Sequence, residues 1–179
     1  MHTSDKRKDK DAFDCLHDAL CAELYYGCGA QICRALYERV HPEESYVDRT
    51  GRIELEKPIW VIWPGRKQGG DTRTLPSAWL DFCWTARYVV KPARAGLSST
   101  YVDACVFAEV KTHIESAGAV LRQMRLYKHL LGAQAIGVLF APAAELARQR
   151  GVEPMLREHG FLVEALDVPT ASSQPAGTP

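Results

Sequence analysis

Residues 135–141, Ala-Ile-Gly-Val-Leu-Phe-Ala, form a continuous apolar run of seven residues. A run of that length without a polar position fits a strand covered on both faces, which belongs in the interior of a sheet with helices on either side. The preceding segment, Ala117–Leu131, has apolar residues at helical spacing and stops at Gly132, a natural residue for a helix end. A strand that follows such a helix lies parallel to the strand before it, because the helix supplies the crossover. This segment alone points to an α/β layer architecture.

The other elements extend that frame. Asp11–Val40 repeats apolar residues at helical spacing (Phe13, Leu16, Leu20, Leu24, Ile32, Leu36, Val40), with Gly27 and Gly29 positioned to bend or split it. Arg52–Trp63 is β-rich and runs into the breaker-rich stretch 64–76. Ala78–Val90 and Thr100–Lys111 read as strands joined by a loop short enough for an antiparallel hairpin. A helical stretch at Ala143–Gln149, a further turn at Pro154–His159 and a last strand at Phe161–Leu166 complete the order α-β-β-β-α-β-α-β. The expected fold is an α/β domain with a mixed central sheet flanked by helices and a C-terminal αβ extension.

At 179 residues, 46% hydrophobic and 25% charged, the composition supports one globular core. Residues 1–10 read as a charged tail, 11–167 as one domain, and 168–179 as a Pro/Ser/Ala-rich tail unable to build a core. Lys+Arg and Asp+Glu both number 22, so there is no global positive field, and any nucleic-acid surface must be local. No apolar run approaches membrane-spanning length and the first residues precede no signal-type apolar stretch. A soluble cytoplasmic protein without a membrane partner is expected. The six cysteines, at 15, 21, 28, 33, 83 and 105, contain no Cys-x-x-Cys pair and read as reduced packing residues.

Chemistry concentrates in Tyr101–Lys111. Its even positions (Val102, Ala104, Val106, Ala108, Val110) are small and apolar, whereas the odd positions end in Glu109 and Lys111. At period two those side chains share a face roughly 7 Å apart. Taken alone, Glu-x-Lys also fits the solvated face of an amphipathic strand. Asp81, however, interrupts the apolar run 78–84, where a lone carboxylate is costly unless paired or bound to a cation. Pairing Val90 with Tyr101 places Asp81 opposite Val110 and diagonal to both Glu109 and Lys111. Two carboxylates and a lysine on adjacent strands suit one or two Mg²⁺ or Mn²⁺ ions and a phosphodiester substrate.

At these residues the chain resembles the PD-(D/E)xK nucleases of the restriction-endonuclease-like superfamily. Asp81, Glu109 and Lys111 match the motif, although Leu80 stands where the motif's proline would be. Gln123 and Tyr127, the first of them twelve residues after Lys111, match the QxxxY pattern of the RecB-like branch and fall on one helix face at i,i+4. A surface glutamine beside a half-buried tyrosine is the alternative. The resemblance implies an αβββαβ core and DNA cleavage with Asp81 and Glu109 as metal ligands and Lys111 as electrostatic catalyst. Gln123 and Tyr127 would position the strand or support the lysine. The superfamily often adds an acidic ligand from its first helix; Glu23 is the candidate, Glu38 its competitor, and simple solvent exposure is the other fate of either. The cysteine spacing does not suggest an iron–sulfur cluster.

For DNA contacts the sequence offers Arg66, Lys67 and Arg73 in the loop after the first strand, and Arg122 and Arg125 on the QxxxY helix, beside Lys128 and His129. Solvation is the alternative role for each. The tryptophans at 60, 63, 79 and 84 read as core. The leading expectation is a metal-dependent deoxyribonuclease, alone or within a DNA-processing complex. A catalytically silent nuclease-like subunit that binds nucleic acid or assembles such a complex is the alternative, and an unrelated α/β binding module is a third.

Overall fold

The computed structural model describes residues 16–42, 44–46, 52–63, 73–90 and 100–167. Helix α1 covers 16–26 and α2 Gly29–Val40; the strands are β1 (Glu44–Tyr46), β2 (Arg52–Trp63), β3 (Arg73–Val90) and β4 (Thr100–Val110). Then come α3 (Ala117–Leu131), β5 (Ile136–Pro142), α4 (Ala143–Arg148), α5 (Val152–Glu158) and β6 (Leu162–Leu166). The sheet runs β1-β3-β4-β5-β6, with β2 paired along the same edge of β3 as β1. β3 is antiparallel to β1, β2 and β4, whereas β4, β5 and β6 are parallel. The protein is therefore α/β with a mixed open sheet flanked by helices. Among the described residues no helix is long and apolar enough to cross a membrane.

Each face of the sheet has its own core. On one side Leu20 and Leu24 of α1 and Cys33, Leu36 and Tyr37 of α2 cover Phe82, Trp84, Val106, Val138 and Phe140. On the other, Val120, Met124 and Tyr127 of α3 and Leu156 of α5 cover Cys83, Phe107, Leu139 and Phe161. β5 is buried at every position, as its apolar run requires. Gly137 belongs to that packing: a Cβ there would stand 2.5 Å from Phe107 and 2.7 Å from Phe161, so two rings close over the strand where a side chain is missing.

The split of the first helix falls where Gly27 and Gly29 were expected to bend or break it, and α2 starts tight against α1: a Cβ on Gly29 would lie 2.0 Å from the Leu24 carbonyl oxygen. Several other elements differ from the sequence reading. β1 is too short to leave a periodic signal. β3 begins at Arg73, not Ala78, so Leu75 and Pro76 are strand and not loop. The proline is tolerated because the β2–β3 register shifts there, Ile59 pairing with Ala78 but Trp60 with Pro76. Of the tryptophans expected in the core, Trp84 is buried but Trp79 is 56% exposed; the side chains of Trp60 and Trp63 lie outside the described residues.

The β3–β4 pairing is also one residue from the expected register: Val89, not Val90, faces Tyr101, and Phe82 faces Ala108. Opposed residues share a face, so pairing an even position with an odd one would have set Phe82, Trp84 and Tyr88 against the polar side of β4. The observed register sends the even positions of both strands into one core.

Candidate active site

The β3–β4 ladder stops at Phe82 and Ala108, which leaves Asp81 abreast of Glu109. Here β3 is irregular. Leu80 packs into the α3-side core and Phe82, two residues on, into the opposite one, so the alternation of sides breaks at Asp81. Across on β2, Glu56 stands between Leu55, opposite Phe82, and Lys57, opposite Leu80, and it has φ +46°. A left-handed glutamate inside a strand is strained backbone, and such strain collects where a side chain is being re-aimed. The result is that the Asp81 carboxylate, and not a strand carbonyl, accepts the Val110 N–H, at 2.8 Å.

Glu109 is 1% exposed at the end of β4, and the Lys111 ammonium lies on its Oε1. Its Oε2 is buried and has no hydrogen-bond partner among the described residues. Burial and the nearby Asp81 charge together outweigh the lysine and push the carboxyl up to about 7. From α3, Gln123 donates to the Tyr127 hydroxyl at 2.6 Å, and that hydroxyl donates to the Trp79 carbonyl at 2.9 Å. Burial, with the Glu109 and Asp81 charges behind it, pushes the phenol up to about 12, so it stays a neutral donor. Asp81, Glu109, Lys111, Gln123 and Tyr127 are thus brought together, and the helix pair is tied to β3 two residues before Asp81.

The sequence reading missed His17. Its Nε2 lies 3.5 Å from Asp81 Oδ2, and Asp81, then Cys21, raise the imidazole to about 11. A signal existed: His17 precedes Leu20, Cys21 and Leu24 by three, four and seven residues, which is the buried stripe of α1. Glu23, the acidic residue proposed from that helix, is exposed, two positions past Cys21 and so turned away from the stripe. Glu38 is engaged elsewhere, accepting from Arg34 at 2.8 Å and Tyr88 at 3.3 Å. Access to Asp81 is through a cavity of about 310 Å³ lined by His17, Asp18, Cys21, Leu55 and Glu56.

Among the described residues no three His, Cys, Asp or Glu side chains form a ready metal cage. Two adjacent carboxylates, one with an orphaned buried oxygen, still fit a hard divalent cation. Mg²⁺ in particular keeps several waters and takes one or two carboxylates plus substrate oxygens. The described thiols Cys21, Cys28, Cys33, Cys83 and Cys105 are free, Cys28 exposed at the α1–α2 junction and Cys83 3.9 Å from Cys105. Cys15 lies outside the described residues.

Of the DNA-contact candidates, Arg66 and Lys67 lie outside the described residues. Arg73 is in β3, paired with Trp63, instead of in a loop. Arg122 and Arg125 are exposed on α3.

The segment that carries Lys111 toward α3 is anchored from α4. Ile114 is buried; its N–H donates to Glu145 Oε1 at 2.5 Å, and its carbonyl accepts from Gln149 at 2.8 Å and Arg148 at 3.2 Å. Glu145→Ala leaves that buried N–H unpaired and should cost about 1–3 kcal/mol, read as a fall of several degrees in Tm at pH 7. The Arg148 guanidinium holds the Glu145 carboxyl below its ordinary range. That stabilisation is therefore present at neutral pH and lost as pH falls through the lowered value, so the gap from wild type should narrow under acid. Equal melting of the two proteins at pH 7 would refute this anchoring role.

Comparison with protein-family models, curated proteins and solved structures finds no match.

Proposed function

We propose that the protein is a metal-dependent nuclease of the PD-(D/E)xK type, with the restriction-endonuclease-like core and RecB-like QxxxY helix that its motifs resemble, and that it hydrolyses DNA phosphodiester bonds. The observation that carries this reading is the pair Asp81 and Glu109, abreast at the end of the β3–β4 ladder, with Lys111 on one oxygen of Glu109 and the other oxygen without a partner among the described residues. A carboxylate buried as Glu109 is, with one oxygen paired and another carboxylate beside it, costs stability, which supports a role in chemistry.

Asp81 and Glu109 would hold Mg²⁺ or Mn²⁺, which when bound supplies Lewis-acid polarisation of the phosphate and a more acidic water. The chain's own groups do the rest. Lys111, half-buried against Glu109, presents a fixed positive charge where charge builds on the phosphate. Tyr127 stays protonated and, braced by Gln123 and the Trp79 carbonyl, holds β3 and α3 at fixed separation around the carboxylates. His17 neutralises Asp81 when no cation is present.

One observation favours the catalytically silent subunit as a second reading: Glu109, at 1% exposure, is closed off from solvent. Purified protein incubated with end-labelled single-stranded DNA, duplex DNA and RNA, each with Mg²⁺, Mn²⁺ or EDTA, separates the two. Metal-dependent DNA products are expected. Nucleic-acid binding without cleavage under any metal would make the silent subunit the better reading.

A further inference from the structure

On the side of α3 turned away from Gln123, Arg125, Lys128 and His129 meet His159 and Phe161 around an open cavity of about 330 Å³. Arg125 lies 3.1 Å from His159 Nδ1, and the Lys128 ammonium sits 5.6 Å from the centre of the Phe161 ring. The cationic groups are thereby held in place before any ligand arrives, and no carboxylate is among the described residues that line the cavity. Like charges gathered without a counter-charge repel one another, and an anion relieves them.

The position suggests which anion. At 3.6 residues per turn, the outer arc of α3 between Gln123 and Arg125 is occupied by Leu126 and Arg122. Both are exposed, Leu126 by 48%. A strand crossing that arc traverses about one helix diameter, roughly 10 Å, with a guanidinium for its phosphates and an apolar side chain for its bases. Bases are free to meet such a surface only when unpaired.

We propose that this cavity is a second phosphate site, which grips the backbone of a single nucleic-acid strand lying across the exposed arc of α3. The assignment rests on the nuclease reading for the class of ligand, but the binding it claims requires neither metal nor cleavage.

The test is fluorescence anisotropy of a labelled single-stranded DNA 20-mer in EDTA, at several salt concentrations, with the full-length protein. Arg125→Ala/Lys128→Ala should weaken binding about 10–100-fold and flatten the salt slope by about 1.4, two contacts at about 0.7 each. Arg125→Lys/Lys128→Arg should restore most of the affinity, and circular dichroism should show both variants folded. Wild-type affinity and slope in the alanine variant, no binding by wild type, or equal competition by duplex DNA or by polyglutamate at matched charge would each overturn the proposal. The parallel Mg²⁺ assay keeps the two readings apart. Strand binding lost in the alanine variant but never followed by cleavage leaves the cavity standing and refutes the nuclease. Cleavage with unaltered binding does the reverse.

Discussion

Asp81→Asn, Glu109→Gln and Lys111→Ala are each expected to lower DNA cleavage by about 10²–10³-fold or more, the scale on which loss of one preorganised electrostatic group acts, while the chain stays folded. The substitutions keep shape where shape matters. Asparagine retains an oxygen for the Val110 N–H, and glutamine one for the Lys111 ammonium, so the neighbouring backbone is not left unpaired. Tyr127→Phe removes the bond to the Trp79 carbonyl without touching a carboxylate. It should cost less, about 10–100-fold, through misplacement of reacting groups. Single-turnover rates at saturating DNA with Mg²⁺, together with melting curves, decide the matter. Undiminished cleavage by all three carboxylate and lysine variants would remove the site from these residues, and full activity in Tyr127→Phe would reduce the QxxxY pattern to coincidence.

The second large effect is on stability and has the opposite sign. The folded protein holds the Glu109 proton more tightly than the unfolded chain does, its carboxyl moving from 4.5 to about 7 on burial beside Asp81. Stability is therefore full below the ordinary carboxyl range and declines as pH rises from about 4.5 through 7. By pH 8 without metal, the ionised group costs on the order of 3 kcal/mol. Glu109→Gln removes that cost and should raise Tm at pH 8 in EDTA by about 6–12 °C, at 2–4 °C per kcal/mol for a chain of this size. At pH 4.5 the two proteins should melt together. Mg²⁺ should then raise the Tm of wild type and leave the variant almost unmoved, because only the charged pair gains from a cation. A variant that melts at or below wild type at pH 8 in EDTA would mean that Glu109 is not held as a strained charge.

Much of the site was legible because it is local. The spacing of Glu109 and Lys111 follows from the two-residue repeat of a strand, and that of Gln123 and Tyr127 from the turn of a helix; α3 lies on the residues its apolar spacing marked. What escaped were exceptions to periodicity. The break at Asp81 with its left-handed partner Glu56, and the register shift that lets Pro76 lie within β3, are departures from regular strand geometry. A pattern argument assumes that geometry throughout.

The sequence by itself determined the longer elements, their order and the parallel placement of β5, though not the three-residue β1, since backbone geometry fixes where apolar residues must recur and a buried strand must be covered on both faces. The β3–β4 register was read one residue off, although the pattern held the answer: with apolar residues at even positions on both strands, only an even-to-even pairing buries them together. Tertiary structure alone decided that His17, 64 residues before Asp81 in the chain, would reach its carboxylate, that Glu109 would lose water and keep an orphaned oxygen, and that Arg125 would meet His159. Those pairings depend on how two layers of helices settle on a twisted sheet. That outcome is set by the whole packed core, and no short-range repeat in the chain encodes it.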